Sequence, residues 1–110
     1  VKTSLTELAE THLTLARQLS SGRSAETVHG GRDKALRQTV MALRAGEHLH
    51  EHEHPGEVTV QVLHGRMRLV AGPYRHEAGI GDLLTMPEHR HRVEALEDSV
   101  FLFTTALRLP

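Results

Sequence analysis

Apolar positions recur every three or four residues at the start of the chain and every second residue after it. Over residues 4–19, Leu5, Leu8, His12, Leu15 and Leu19 follow the first spacing, with Ala9 and Ala16 beside them. That is one face of an amphipathic helix. Ser4 and Glu7 fit the S-x-x-E of a capping box at its start, and Ser20-Ser21-Gly22 ends it. Such stripes usually face a core, so the helix is expected to pack on the outside of a sheet; a lid or a dimer contact is the functional alternative.

After Gly22 the texture is that of strands. They are expected at 24–29, 36–43, 58–63, 67–70, 74–77, 83–86, 93–96 and 99–106, with Gly30-Gly31, Gly46, Pro55-Gly56, Gly65, Gly72-Pro73, Gly79, Gly81 and Pro87 at the breaks. Many short strands with turn chemistry between them predict an all-β sandwich or barrel. By the same alternation Gln61 points away from Val60 and Val62, and Glu97-Asp98 reads as a turn. Arg37, two residues before Thr39, either reaches into the barrel to bind an anion or snorkels from a sheet edge.

The segment GEHLHEHEHPGEVTVQVLHG, residues 46–65, carries the chemistry. His48, His50, His52 and His54 stand two apart, immediately before a β-branched run. On a regular strand, residues i and i+2 share a face. These imidazoles are therefore expected to point into the barrel and Glu47, Glu51 and Glu53 away from it. A row of imidazoles facing inward is a metal site that wants a ligand from elsewhere. His91, in MPEHRHRVEAL, is the candidate. His48, His64 and His76 read as surface residues.

Composition narrows the function classes. The 110 residues amount to one domain, and 13 basic against 14 acidic residues leave a net charge of −1, without the basic excess of a nucleic-acid binder. The aromatic residues are Tyr74, Phe101 and Phe103, which make no platform for stacking bases. With ten histidines, the net charge should move by several units near the imidazole pKa of about 6.5. Cysteine is absent, so any metal must take nitrogen and oxygen ligands. There is no apolar run of about 18 residues and no leader-like segment, from which a soluble cytoplasmic protein is expected.

With these residues in view, the chain resembles a small single-domain protein of the cupin superfamily, similar to the type-2 cupins. The first motif of that family, G-x5-H-x-H-x3–4-E-x6-G, matches Gly46, His52, His54 and Gly65. The second, G-x5-P-x-G-x2-H-x3-N, matches Gly81 and Pro87 and brings His91 near its histidine. The departures are specific. Val58 stands where the glutamate belongs, with Glu57 one residue early, and a bulge at Pro55-Gly56 would be needed to turn Glu57 inward. In the second motif the histidine comes one residue early, His89 replaces the glycine and Ala95 the asparagine.

The resemblance implies a double-stranded β-helix, or jelly-roll barrel, over residues 23–110, preceded by a helical segment over 1–22. It implies a divalent transition metal held by His52, His54 and His91 rather than by three histidines and a glutamate. His50 and His89 are then an additional ligand or proton carriers. Imidazole suits zinc, nickel, iron, manganese or copper, and ligand type does not choose among them. The implied function is to act on or sense a small polar molecule in the barrel; as an enzyme it would be a metal-dependent oxygenase or isomerase. The other reading is a non-catalytic module that senses a small ligand or a metal, or a metal-free barrel. A homodimer is expected from the resemblance, and neither nucleic acid nor membrane is an expected partner.

Overall fold

Alternation along the strands sorts side chains onto two faces of a sheet, and in the larger of two sheets both faces are buried. The computed structural model of the protein describes residues 1–52, 56–86 and 90–106, with the backbone alone at 50–52. It contains α1 (Leu5–Gln18), β1 (Arg23–His29), β2 (Leu36–Leu43), β3 (His48–His52), β4 (Glu57–His64), β5 (Arg66–Ala71), β6 (Tyr74–Gly79), β7 (Leu83–Thr85), β8 (His91–Ala95) and β9 (Ser99–Ala106). The strands form a five-stranded sheet in the order β1-β2-β9-β4-β7 and a four-stranded sheet in the order β3-β8-β5-β6. The pairings are antiparallel and mostly join strands distant in sequence, the arrangement of a jelly roll.

The core lies between the sheets. Leu43 from β2, Phe101 from β9 and Val58, Val60 and Val62 from β4 meet Met67 and Leu69 from β5 and Val93 and Ala95 from β8. Phe101 and Phe103 add an edge-to-face contact with centroids 6.5 Å apart. Phe101, Leu43, Met67 and Val60 are fully buried, and each such side chain contributes about 1.5–3 kcal/mol relative to exposure. Gln61 lies exposed between Val60 and Val62, as the alternation requires.

A second core covers the outer face of the large sheet. Val40, Ala42, Val100 and Leu102 pack under Leu13 and Ala16 of α1. The helix therefore sits outside the sheet, as its stripe predicts. Ser4 caps it by accepting the Glu7 N–H at 3.2 Å. No helix among the described residues is long and apolar enough to cross a membrane.

Strands 36–43 and 99–106 coincide with expectation. The one expected at 93–96 runs instead from His91 to Ala95, which puts His91 on a strand rather than in a loop. The topology also defines a mouth. Leu36 and Glu57 both pair with Ala106, and the Met86 N–H bonds the Val58 carbonyl at 3.0 Å. The chain thus passes from β3 to β4 and from β7 to β8 at this end. The β1–β2 hairpin turns here as well.

Candidate functional site

His91 opens β8 and is 3% exposed. Its strand reads HRVEA, so His91 shares a face with Val93 and Ala95, both core residues. Arg92 and Glu94 take the other face, where the Glu94 carboxylate pairs with Arg92 at 2.9 Å and Arg68 at 3.5 Å. A basic heterocycle is thereby built into an apolar inner wall.

The neighbouring strand departs from strict alternation. Leu49 pairs with Val93 and packs against the core, while His48 pairs with Glu94 on the opposite face and is half-buried. Leu49 takes the inward position, and His48, read from the sequence as a surface residue, lies on the outward face. Continued two by two, the ladder would bring Glu51 opposite His91. It brings His52 instead: three steps on β3, from Leu49 to His52, match two on β8, from Val93 to His91. One extra residue on β3 changes the register, as a β-bulge does. The irregularity lies upstream of Pro55-Gly56.

Of the candidate ligands, His91 is fully described and His52 is placed by its backbone opposite it. His54 and His89 lie outside the described residues, as do the side chains of His50 and His52. Among the described residues no group of three His, Cys, Asp or Glu side chains is gathered to hold a metal. Glu57 is exposed and opposite Ala106, whereas Val58 is buried in the core. Period two holds there, and Glu57 faces away from the barrel interior. His64 and His76 are exposed.

The facing wall of the mouth comes from the large sheet. Val58, Thr105 and Arg37 occupy one row across β4, β9 and β2, with Val60, Phe103 and Thr39 in the next. Val58 and Thr105 are buried, Phe103 and Thr39 half-buried, and Arg37 exposed. Met86, buried at 8% exposure, packs beneath. The mouth therefore has an imidazole on one side and hydroxyls and a guanidinium on the other, above an apolar floor.

Two polar connections were not legible as such in the sequence. His12, a member of the helical stripe, is 6% exposed. Its Nδ1 lies 2.7 Å from Ser24 Oγ and its Nε2 3.1 Å from Glu26 Oε1. An ionised carboxylate only accepts, so Nε2 carries the hydrogen that faces Glu26, while the Ser24 hydroxyl can donate to or accept from Nδ1. Ser24 and Glu26 are two apart on β1 and reach the same ring, pinning the helix to the sheet edge. The one signal was a polar residue inside an apolar stripe. Asp98, read as turn chemistry, accepts the Ala45 N–H at 2.9 Å and the Arg17 Nε–H at 2.7 Å. The Ala45 backbone bond and then Arg17 hold its carboxyl below its ordinary value.

No family model matches the chain, and no curated protein does. Solved structures match it closely in fold. An RmlC-like cupin from Desulfovibrio desulfuricans is 30% identical, with a TM-score of 0.66 over 76% of this chain and 81% of its own. A cupin superfamily protein from Desulfitobacterium hafniense is 16% identical, with a TM-score of 0.72 over 78% of each chain. KdgF from Halomonas sp. is 21% identical, with a TM-score of 0.68 over 79% of this chain and 82% of its own. The two facing antiparallel sheets, the strand order and the likeness to the Desulfovibrio protein together make this chain a member of the cupin superfamily.

Proposed function

We propose that the protein is a metal-dependent cupin that holds a divalent transition ion through His52, His54 and His91 and binds a small polar molecule beside it. The observation that supports this most directly is the β3–β8 register, in which the extra residue on β3 puts His52 on the same rung as His91. Two histidines on one rung, with a third two residues further along the chain, is a donor set suited to zinc, nickel, iron, manganese or copper. Glu57 faces away from the barrel, which favours histidine ligands over a mixed set.

When bound, such an ion supplies Lewis acidity that can polarise a carbonyl or acidify a bound water. The chain's own residues do the rest. His91 shares the inward face of β8 with Val93 and Ala95 and is 3% exposed, so its ring has little room to turn, as a ligand held in a productive orientation requires. Val58, Met86 and Phe103 supply apolar side chains at this end of the core. His50 and His89 are the candidates for an additional ligand or for moving a proton. If the molecule is transformed rather than merely held, oxygenation or isomerisation is the expected class.

Elemental analysis of untagged protein tests the reading. Near-stoichiometric metal in the parent, lost in the His52→Ala/His54→Ala double variant, is the expected result. Protein that takes up no metal, even after reloading with zinc, nickel, iron, manganese and copper in turn, would overturn it.

A further inference from the structure

Arg37 stands on the inner face of the large sheet, at the mouth. The register of β2 against β9 runs without interruption from Leu36 to Leu43, so alternate residues of β2 share a face along its whole length. Leu43 and Met41 belong to the core between the sheets, whereas Val40 and Ala42 belong to the core beneath the helix. Thr39 and Arg37 therefore share the inward face. Arg37 is paired with Thr105, which is paired in turn with Val58, and the chain enters β4 immediately before Val58, at the end where His52 leaves β3. His91 lies on the facing wall.

Three observations make Arg37 a ligand-binding group rather than a solvated charge. Among the described residues Arg37 has no carboxylate within ion-pair distance, a state it shares with Arg32, Arg66, Arg75 and Arg90; of these, Arg37 is the one that strand parity places on the inner face of the large sheet. The β1–β2 hairpin packs on its stem, since a Cβ placed on Gly30 would come within 3.2 Å of Arg37 Cγ. The side chain is thus backed by protein on one side. Its inward-facing neighbours are hydroxyls: Thr105 is 8% exposed, and the Thr27 and Thr39 hydroxyl oxygens lie 3.3 Å apart. Among the described residues, no carboxylate stands on the inner face at this end to neutralise the guanidinium.

We propose that Arg37 binds the acid group of the ligand, so that the mouth takes a small organic carboxylate. A guanidinium presents a planar fork that matches a carboxylate in two parallel hydrogen bonds. The threonine hydroxyls complete the hydrogen bonding at the carboxylate oxygens. In the proposed metal cupin, on which this assignment rests for the other end of the ligand, a second oxygen function of the same molecule would face His91. The substrate class is therefore a small hydroxy, oxo or dicarboxylic acid.

Titration calorimetry on the zinc-loaded full chain tests this, with malonate, succinate and glutarate as probes. Their uncharged diamides and inorganic phosphate serve as controls. At least one dicarboxylate should bind and its diamide should not. Arg37→Gln should weaken that binding roughly tenfold or more, and Arg37→Lys by less. Zinc content and thermal midpoint should be unchanged in Arg37→Gln, because the residue is exposed. Equal dicarboxylate affinity in the parent and Arg37→Gln would overturn the proposal, as would binding of none of the three acids. Phosphate bound more tightly than every dicarboxylate would overturn the carboxylate assignment. The same titrations on metal-free protein separate the two readings: Arg37-dependent binding by a chain that takes up no zinc upholds Arg37 and discards the metal. Zinc uptake with Arg37-independent binding does the reverse.

Discussion

His52 and His91 share a rung of the β3–β8 ladder because β3 carries one residue more than β8 between that rung and the Leu49–Val93 rung. Between the two rungs β3 carries His50 and Glu51 where β8 carries Arg92 alone, and of the two only His50 is a proposed ligand. Deleting Glu51 gives both strands two steps between the rungs and keeps His52 opposite His91. Zinc affinity of the deletion variant should stay within about tenfold of the parent, whereas His52→Ala should lower it by more, on the scale separating supporting residues from ligands. Competition titration with a zinc chelator measures both. Loss of binding in the deletion variant equal to that in His52→Ala would show that the bulge itself shapes the site.

Gly65 and Gly46, the two glycines that frame the first motif, should differ sharply on substitution. Gly65 has φ +81°, and a Cβ there would run into the Asp98 carbonyl oxygen and Ser99 Oγ. Gly46 has φ +91° but nothing within 4 Å of the added atom. Gly46→Ala should cost only the conformational penalty, about 1–3 kcal/mol, and Gly65→Ala distinctly more. Urea denaturation of the two variants gives the comparison.

His12 holds the helix to β1 through Ser24 and Glu26. His12→Ala removes both hydrogen bonds and leaves a cavity under the helix, and should destabilise the protein by about 1–3 kcal/mol. Ser24→Ala should cost about 1 kcal/mol or less. Hydrogen exchange should locate the damage, with α1 amides losing protection before those of β4 and β9.

Asp98 makes stability depend on acid in a defined direction. Its carboxyl is held below the ordinary value of 3.8, first by the Ala45 N–H and then by Arg17. A depressed folded-state pKa adds stability that is fully present above the unfolded-state pKa and is lost as pH falls through the folded-state value. Thermal midpoints of the parent and Asp98→Asn should therefore differ at neutral pH, and the gap should close as pH drops below about 4. A gap that stays constant down to the lowest pH at which the protein folds would rule this out.

The local features were legible because local chemistry determines them. The helix lies within a residue of its expected bounds at each end, since Ser4 and the Ser20-Ser21-Gly22 break act on their immediate neighbours. Strands β2 and β9 were readable because each carries four consecutive apolar residues, Val40 to Leu43 and Val100 to Phe103, that are wholly or partly buried on both faces. The β3 register was not. A run of alternating histidines implies one face, and only the pairing with β8 reveals that the single Leu49 sets the inward side. His91 was placed in a loop for a related reason: a polar residue at the start of a strand looks like a turn until its partner rung is known. The His12–Ser24–Glu26 cluster joins a helix to the next strand, and no spacing rule connects the two.

At the end opposite the mouth, Leu43, Phe101, Val62, Met67 and Ala95 are packed with 4% exposure or less. Among the described residues this end is closed by close-packed side chains, so a molecule that reaches His91 would come from the opposite end, where β3 and β8 carry His52 and His91 on one rung.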